Sequence, residues 1–142
     1  LYESEQGNTR LSREIEFMKG YIDLMKLRLS DRVRLAVSFP EKFDDQDLPP
    51  LLFIPFIENA FKHGVSSVEN SFVDIALGVE DGMITFLATN SISRRESGGP
   101  QVDSGIGLDN VRKRLALLYP GRHDLRIDHQ EKIFTVHLTV RK

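Results

Sequence analysis

Apolar residues recur at spacings of three and four over residues 11–33, which is the period of one helix face. The positions are Leu11, Ile15, Met18, Ile22, Met25, Leu29 and Val33. A second apolar set widens that face: Phe17, Tyr21, Leu24 and Leu27. The pattern predicts one long amphipathic helix. It leaves open whether the helix docks on its own domain or joins a dimer.

Runs of alternating apolar and polar residues predict five strands further along the chain. They cover residues 35–39, 72–79, 83–90, 125–128 and 133–140. Glu80, Asp81 and Gly82 separate the second run from the third, which predicts an antiparallel hairpin. The last two runs predict a second hairpin.

Two further helices are expected between these strands. Pro49 and Pro50 favour a helix start near residue 50, but Pro55 would interrupt a helix that was regular from there. This helix is therefore expected to begin properly only near Pro55 and to stop at Gly64. Apolar spacing predicts another helix over residues 108–119, ended by Pro120 and Gly121.

The predicted order is helix, strand, helix, strand, strand, helix, strand, strand. Helices on one face of a mixed, mostly antiparallel sheet give an α+β fold, a two-layer α/β sandwich preceded by an N-terminal helix. Residues 91–104 show no periodicity and contain Gly98, Gly99 and Pro100. They predict a long exposed loop, and long loops in small domains are often functional.

Composition narrows the function by exclusion. The 142 residues carry a net charge of -2, so no polyanionic partner such as nucleic acid or a membrane surface is indicated. The absence of cysteine excludes disulfides and thiolate metal sites. No apolar run approaches the roughly 20 residues that span a bilayer. Because the chain opens with Leu1, we expect it to be a piece of a longer protein.

The first candidate site lies in the predicted helix that ends at Gly64. Asn59, Lys62 and His63 share one helical face, and Glu58 adjoins them. An amide oxygen beside two cationic donors suits a phosphate chain with its magnesium ion. The solvated side of an amphipathic helix explains the same pattern.

The second candidate site is the segment DSGIGL at residues 103–108. Glycines that alternate just before a helix leave backbone amides free to approach an anion, and the helix N-terminus adds partial positive charge. A loop that needs glycine only to turn into a helix fits equally well.

The two segments together resemble a known family. ENAFKHG, residues 58–64, resembles the asparagine box of the Bergerat-fold ATP-binding domain shared by histidine kinases, type II topoisomerases and related proteins, the GHKL superfamily. GIGLDNVRKRLALLYPG resembles the glycine box and following helix of the LytS-type sensor histidine kinases. The proline-led LPPLLFIPFIENAFKHG and the upstream SREIEFMKGYIDLMKLRL are similar to the same branch. The resemblance covers residues 11–142.

The resemblance implies roles for individual residues. Asn59 would coordinate the Mg²⁺ that bridges the ATP phosphates, with Lys62 and His63 at the phosphates or the nucleotide edge. Glu58 would polarise the attacking group, so that Glu58, Asn59 and His63 form the catalytic set. The glycine box and the helix after it would bind the cofactor through Gly105, Ile106, Gly107, Leu108, Asn110 and Arg114. Residues 91–104 would be the lid over ATP.

One box departs from the family pattern. Most members end the strand before the lid with Asp-x-Gly-x-Gly, whose aspartate receives the adenine amino group, and this sequence has Asn90 there. Asn90 keeps an acceptor oxygen but lacks the charge, and both glycines are missing. A rival alignment makes Asp103 the adenine residue. We prefer Asn90, because it ends the hairpin strand and leaves Gly105 and Gly107 to the glycine box.

The function implied by the resemblance is transfer of the ATP γ-phosphoryl group to a histidine on a dimerisation helix outside this chain. Residues 1–34 would be the C-terminal part of that dimerisation or linker helix, and residues 35–142 the ATP-binding catalytic domain. The implied partners are the acceptor helix of the same or a dimer-related chain and a response regulator. The full-length protein would be a homodimer, with this domain on the cytoplasmic side of a bacterial inner membrane.

Two alternatives remain open on the same fold. One is an ATP hydrolase or ATP-driven clamp, which would need a glutamate placed to activate water. The other is a degenerate, non-catalytic interaction domain, motivated by Asn90.

Overall fold

A five-stranded sheet covered by helices makes up the part of the chain that the computed structural model describes, residues 7–66, 68–92 and 102–142. Of residues 102–106 it describes the backbone alone. The helices are α1 (Leu11–Lys26), α2 (Ile54–Gly64) and α3 (Val102–Leu118). The strands are β1 (Thr9–Arg10), β2 (Val33–Ser38), β3 (Asp47–Leu48), β4 (Ser71–Glu80), β5 (Met83–Ser91), β6 (His123–His129) and β7 (Ile133–Arg141).

The large sheet has the strand order β2-β4-β5-β7-β6. β2 runs parallel to β4, and every other neighbouring pair is antiparallel. Both predicted hairpins, β4–β5 and β6–β7, are confirmed. The first turns at Asp81 and Gly82, whose φ angles of 50° and 78° are those of a type I′ turn, the kind that suits a two-residue hairpin.

The core lies between one face of this sheet and the helices. Alternate strand residues are buried, for example Val73 and Ile75 on β4 and Phe86 on β5. The Phe86 ring stacks on Phe53 with centroids 5.2 Å apart and lies 5.9 Å from that of Phe56. Helices on one face of a mixed, mostly antiparallel sheet confirm the predicted α+β architecture.

Helix α1 shares this core. Leu11, Ile15, Met18 and Ile22 are buried in the same cluster as the sheet residues. Of the two alternatives left open for this helix, the structure shows docking on the domain itself. It stays a prediction that residues 1–34 end a dimerisation or linker helix and that residues 35–142 form the catalytic domain.

The helix predicted over residues 11–33 is wrong at its C-terminal end. The structure ends α1 at Lys26, where Leu27, Arg28 and Leu29 donate to carbonyls three residues back. Val33 instead opens β2 and pairs with Ser71 of β4. The apolar spacing continues past the helix because Leu29 still packs against the core. Long-range strand pairing therefore overrides the local period.

The predicted start of α2 at Pro55 is confirmed, since α2 begins at Ile54 and holds Pro55 in its first turn. The predicted start of α3 at residue 108 is wrong, because the helix begins at Val102. The earlier segment, residues 102–107, contains no proline, so no ring clash or missing amide prevents a helix from starting there. The short strands β1 and β3, which pair antiparallel, were not predicted. Within the described residues, no helix is long and apolar enough to cross a membrane.

Candidate functional site

Helix α2 presents the first candidate motif on its outer face. Phe56, Ile57, Ala60, Phe61 and Gly64 hold the inner face in the core. The polar residues of the motif point away from it: the side chains of Glu58 and Lys62 are exposed, and those of Asn59 and His63 are half-buried. The apolar half of the helix thus fixes the direction of the polar half.

The two motifs meet at one small cavity. Of the described residues, Pro55, Glu58, Asn59, Lys62 and His63 of α2 line it on one side, and Gly107 and Leu108 of α3 line it on the other. Its volume of about 110 Å³ is below the roughly 300–1,000 Å³ typical of ligand pockets. The cavity is therefore of a size for a phosphate group rather than for a whole nucleotide. The polar groups of Asn59, Lys62 and His63 around it are an amide, an ammonium and an imidazole.

An apolar groove adjoins this cavity. Tyr21, Met25, Arg28 and Leu29 of the α1 region line it together with Phe61, Val65, Glu58 and Lys62. Its volume is about 310 Å³. Because Glu58 and Lys62 line both spaces, the groove opens directly beside the candidate phosphate site.

The glycine segment is helical in the structure, where a loop was predicted. Gly105, Ile106 and Gly107 all lie inside α3. In an α-helix only the first four amides lack a helical partner, so the amide of Gly107 is committed to the helix. Among the described residues outside its own stretch of helix, a methyl group added at Gly107 would meet no atom within 4 Å. The packing of those residues therefore does not explain the choice of glycine at this position.

Asn90 lies beneath the C-terminal end of α2 and does not line the cavity. It is 1% exposed, and its Nδ2 donates to the carbonyl of Ser91 at 2.8 Å. A Cβ atom placed on Gly64 would lie 2.6 Å from the Cβ of Asn90, so helix and strand touch here. The Ser91 hydroxyl accepts from the amide of Phe72 at 2.9 Å.

The other predicted residues are spread along α3 and the lid. Asn110 is exposed on α3 and does not line the cavity. Arg114 donates to the carbonyls of Pro50 and Leu51. Residues 93–101 of the predicted lid lie outside the described residues. Asp103, the adenine residue of the rival alignment, falls in the part of α3 described by its backbone alone.

Sequence reasoning missed a buried carboxylate. Glu14 of α1 is 0% exposed, and its Oε2 accepts from the amide of Leu51 at 3.1 Å. Burial raises the pKa of Glu14 above its ordinary value of 4.5, and the Leu51 amide and the charge of Arg114 oppose that rise. A signal existed, since Glu14 lies on the same helical face as Leu11, Ile15 and Met18.

Asp45 was missed as well. Its carboxylate accepts from the backbone amide of Ser12 at 2.9 Å and from the Ser12 hydroxyl at 2.7 Å, and so caps the first turn of α1. Partial burial raises the pKa of Asp45, but the hydrogen bonds from Ser12 and Gln46 and the charge of Arg10 bring it below its ordinary value. No local pattern could indicate this cap, because Asp45 is 33 residues from Ser12.

Among the residues that the structure describes, no group of three or more His, Asp or Glu side chains is arranged to hold a metal ion. A magnesium ion here would rely on Asn59 and on ligand phosphates, which is how many Mg²⁺ sites are built. The half-buried amide of Asn59 on the cavity wall fits that use.

Comparison with solved structures identifies the fold. No protein-family model matches the chain. The catalytic domain of histidine kinase ThkA superposes with a TM-score of 0.63 at 14% identity, over 95% of this chain and 97% of that one. Full-length ShkA in complex with AMPPNP superposes with a TM-score of 0.64 at 13% identity, over 94% of this chain and 30% of that one. The fold is that of histidine kinase catalytic domains.

Sequence relatives agree with the fold. Sensor protein LytS of Oceanobacillus iheyensis is 23% identical over 139 residues, which covers 86% of this chain and 23% of LytS. Sensor histidine kinase BtsS of Escherichia coli K12 is 34% identical over 58 residues, 41% of this chain and 10% of BtsS. The chain is thus similar to sensor histidine kinases of the LytS type, as the two motifs predict, and it spans about a quarter or less of these relatives.

Proposed function

We propose that the chain is the ATP-binding catalytic domain of a two-component sensor histidine kinase. It transfers the γ-phosphoryl group of Mg-ATP to a histidine on an acceptor helix outside residues 1–142. The observation that carries this proposal is the cavity at which Asn59, Lys62 and His63 of α2 face Gly107 of α3. Two motifs more than forty residues apart meet there with donors suited to a phosphate.

The residues around the cavity divide the work of phosphoryl transfer, which is mainly positioning and charge neutralisation. Asn59 supplies an oxygen ligand for Mg²⁺, and Lys62 and His63 donate to the phosphates. A magnesium ion held by Asn59 and the phosphates would supply charge neutralisation and alignment of the phosphate chain. Glu58 is exposed and lines both the cavity and the groove, so an acceptor imidazole that reached the phosphates through the groove would pass its carboxylate.

The glycine segment binds the phosphates in a conformation other than the helix. Glycine costs about 1 kcal/mol relative to alanine in a helix interior, so Gly105 and Gly107 weaken the first turns of α3. Unwinding of those turns would free the amides of Gly105, Ile106, Gly107 and Leu108 for the phosphates and enlarge the cavity. Beyond the phosphates, the Asn90 amide oxygen would serve as the adenine acceptor once the enlarged site reached it, since Asn90 is 1% exposed. Asn110, exposed on α3, would contact the nucleotide from the helix that follows the glycine segment.

The groove between α1 and α2 favours a protein acceptor over water. Simple hydrolysis does not require an apolar groove, here of about 310 Å³, beside Glu58 and Lys62. In the longer protein we place this domain on the cytoplasmic side of a bacterial inner membrane, in a homodimer that passes the phosphoryl group to a response regulator.

Titration calorimetry with ATP, with and without Mg²⁺, tests the proposal. The chain should bind ATP in a Mg²⁺-dependent manner. Asn59→Ala should weaken that binding by at least about tenfold, the equivalent of one lost ligand of roughly 1.4 kcal/mol. Asn70→Ala, an exposed asparagine away from this cavity, is the matched control and should change nothing.

A second measurement separates the alternatives. With an added acceptor helix and radiolabelled ATP, the wild-type chain should label the acceptor, and Asn59→Ala should not. Steady ATP turnover without an acceptor would favour a hydrolase. Absence of any ATP binding would refute the proposal and favour an interaction domain.

A further inference from the structure

The backbone turn at Pro50 and Leu51, just before α2, is held from two sides. The Leu51 amide donates to Oε2 of Glu14 on α1 at 3.1 Å. Arg114 on α3 donates to the Leu51 carbonyl through Nη1 at 3.2 Å and to the Pro50 carbonyl through Nη2. Two helices therefore bond to the same short stretch of backbone, and α2 begins three residues later.

The turn needs these contacts. Leu51 has φ of 58°, in the left-handed region that disfavours residues with a Cβ atom. Its side chain is 42% exposed, so burial of that side chain does little to hold the conformation. The hydrogen bond that Glu14 accepts and those that Arg114 donates secure the backbone at Leu51.

Glu14 holds this turn at a cost in stability. It is 0% exposed, and its Oε1 has no hydrogen-bond partner among the described residues. The positive charge of Arg114 favours the ionised form of Glu14. A buried carboxylate with an unpaired oxygen lowers stability. Its presence therefore calls for a reason other than stability.

The geometry of α3 supplies that reason. Gly107 faces the candidate phosphate cavity, and Arg114 lies seven residues later, about two turns or 10 Å along the axis. Leu115 and Val111 bury the same part of α3 in the core. The bonds of Arg114 to residues 50 and 51 therefore tie the body of α3 to the start of α2, the helix that carries Asn59.

We propose that Glu14 and Arg114 are positioning residues, which fix the turn at residues 50–51 and through it the spacing across the cavity between Asn59 of α2 and Gly107 of α3. Neither residue touches the nucleotide. For its ligand, Mg-ATP, this inference rests on the proposed function. Arg114 then acts through its bonds to the backbone at residues 50 and 51. The family resemblance had implied a direct contact of Arg114 with the cofactor.

Methionine variants test this role, because methionine keeps the volume of each side chain and removes its hydrogen bonds. Glu14→Met and Arg114→Met should each weaken Mg-ATP binding about tenfold, whereas the conservative Glu14→Gln, which keeps an acceptor oxygen, should stay within about twofold of wild type. The double variant should be no weaker than the weaker single variant, because both act through one turn. Glu16→Met and Arg112→Met, at exposed positions of the same helices, are the controls.

Hydrogen exchange without nucleotide tests the positioning role independently of the proposed function. Glu14→Met and Arg114→Met should each speed amide exchange at residues 106–108, and the two controls should not. If Glu14→Met fails to fold by circular dichroism, exchange in Arg114→Met decides alone, since Arg114 is only half-buried. Failure of wild type to bind Mg-ATP would overturn the proposed function only. Unchanged exchange at residues 106–108 would overturn the positioning role.

Discussion

Gly64, the last residue of the asparagine box, permits α2 to lie directly on β5. A Cβ atom at this position would lie 2.6 Å from the Asn90 Cβ and 3.0 Å from Cγ2 of Val73. Carbon atoms in good contact are about 3.5–4.0 Å apart, so the overlap with Asn90 is roughly 1 Å. The Asn90 Cβ is fixed to a strand paired on both sides, with Val73 and Phe134. Gly64→Ala can therefore be accommodated only if the end of α2 lifts from the sheet.

The expected cost follows from overpacking. Added methyl groups in a tightly packed core cost about 1–3 kcal/mol, and alanine in place of a helical glycine returns about 0.5–1 kcal/mol. We expect Gly64→Ala to lower the free energy of unfolding by about 1–2 kcal/mol, and Tm by about 3–6 °C. Urea denaturation and thermal melts, each followed by circular dichroism, measure both quantities.

Gly20→Ala is the matched control, because a Cβ atom at Gly20 of α1 would meet no described atom within 4 Å outside its own helix. That variant should gain about 0.5–1 kcal/mol from helix propensity alone. A lifted α2 would also displace His63 at the cavity, so Gly64→Ala should bind Mg-ATP more weakly and Gly20→Ala should not. Gly64→Ala that is as stable as wild type would refute the close contact of α2 with β5.

Two further predictions concern stability. Asp45→Ala should lower the free energy of unfolding by about 1 kcal/mol at neutral pH, the usual value of a helix cap. Because the folded-state pKa of Asp45 is lowered, its contribution to stability is present above pH 3.8 and is lost as the pH falls through that lowered pKa. Urea denaturation at decreasing pH should therefore show the free energies of unfolding of wild type and variant converging in acid. A constant gap down to acid pH would argue against the Ser12 cap. Leu115 is 0% exposed, so Leu115→Ala should lower the free energy of unfolding by about 2–5 kcal/mol in the same assay. Leu117 on the same helix is 82% exposed, so Leu117→Ala should change it by no more than about 0.5 kcal/mol. Equal losses in the two variants would contradict the placement of α3 on the core.

The elements whose causes are local were predictable from sequence. The β4–β5 hairpin follows from alternation and from Asp81-Gly82, two residues that tolerate positive φ angles. The start of α2 follows from Pro55, whose ring and missing amide act within one turn. The asparagine and glycine motifs were likewise legible, because each is a short, contiguous set of residue types.

Elements that depend on distant partners were mispredicted or missed. The helix predicted to reach residue 33 ends at Lys26, because pairing of β2 with β4 places Val33 in the sheet. The Asp45 cap joins residues 33 apart, and the contacts of Glu14 and Arg114 with Leu51 join residues 37 and 63 apart. No window of local periodicity contains both members of such pairs.

The sequence by itself determined which faces of the elements are apolar and which residue types stand ready for phosphate and metal. Tertiary structure alone decided that Asn59 and Gly107, on separate helices, share one cavity, and that Asn90 lies under Gly64 rather than on the cavity wall. The physical reason is that hydrophobic burial is non-directional: periodicity shows that a face will be covered, but not by which partner. The partner, and with it the site, is chosen by packing and hydrogen bonding across the whole chain.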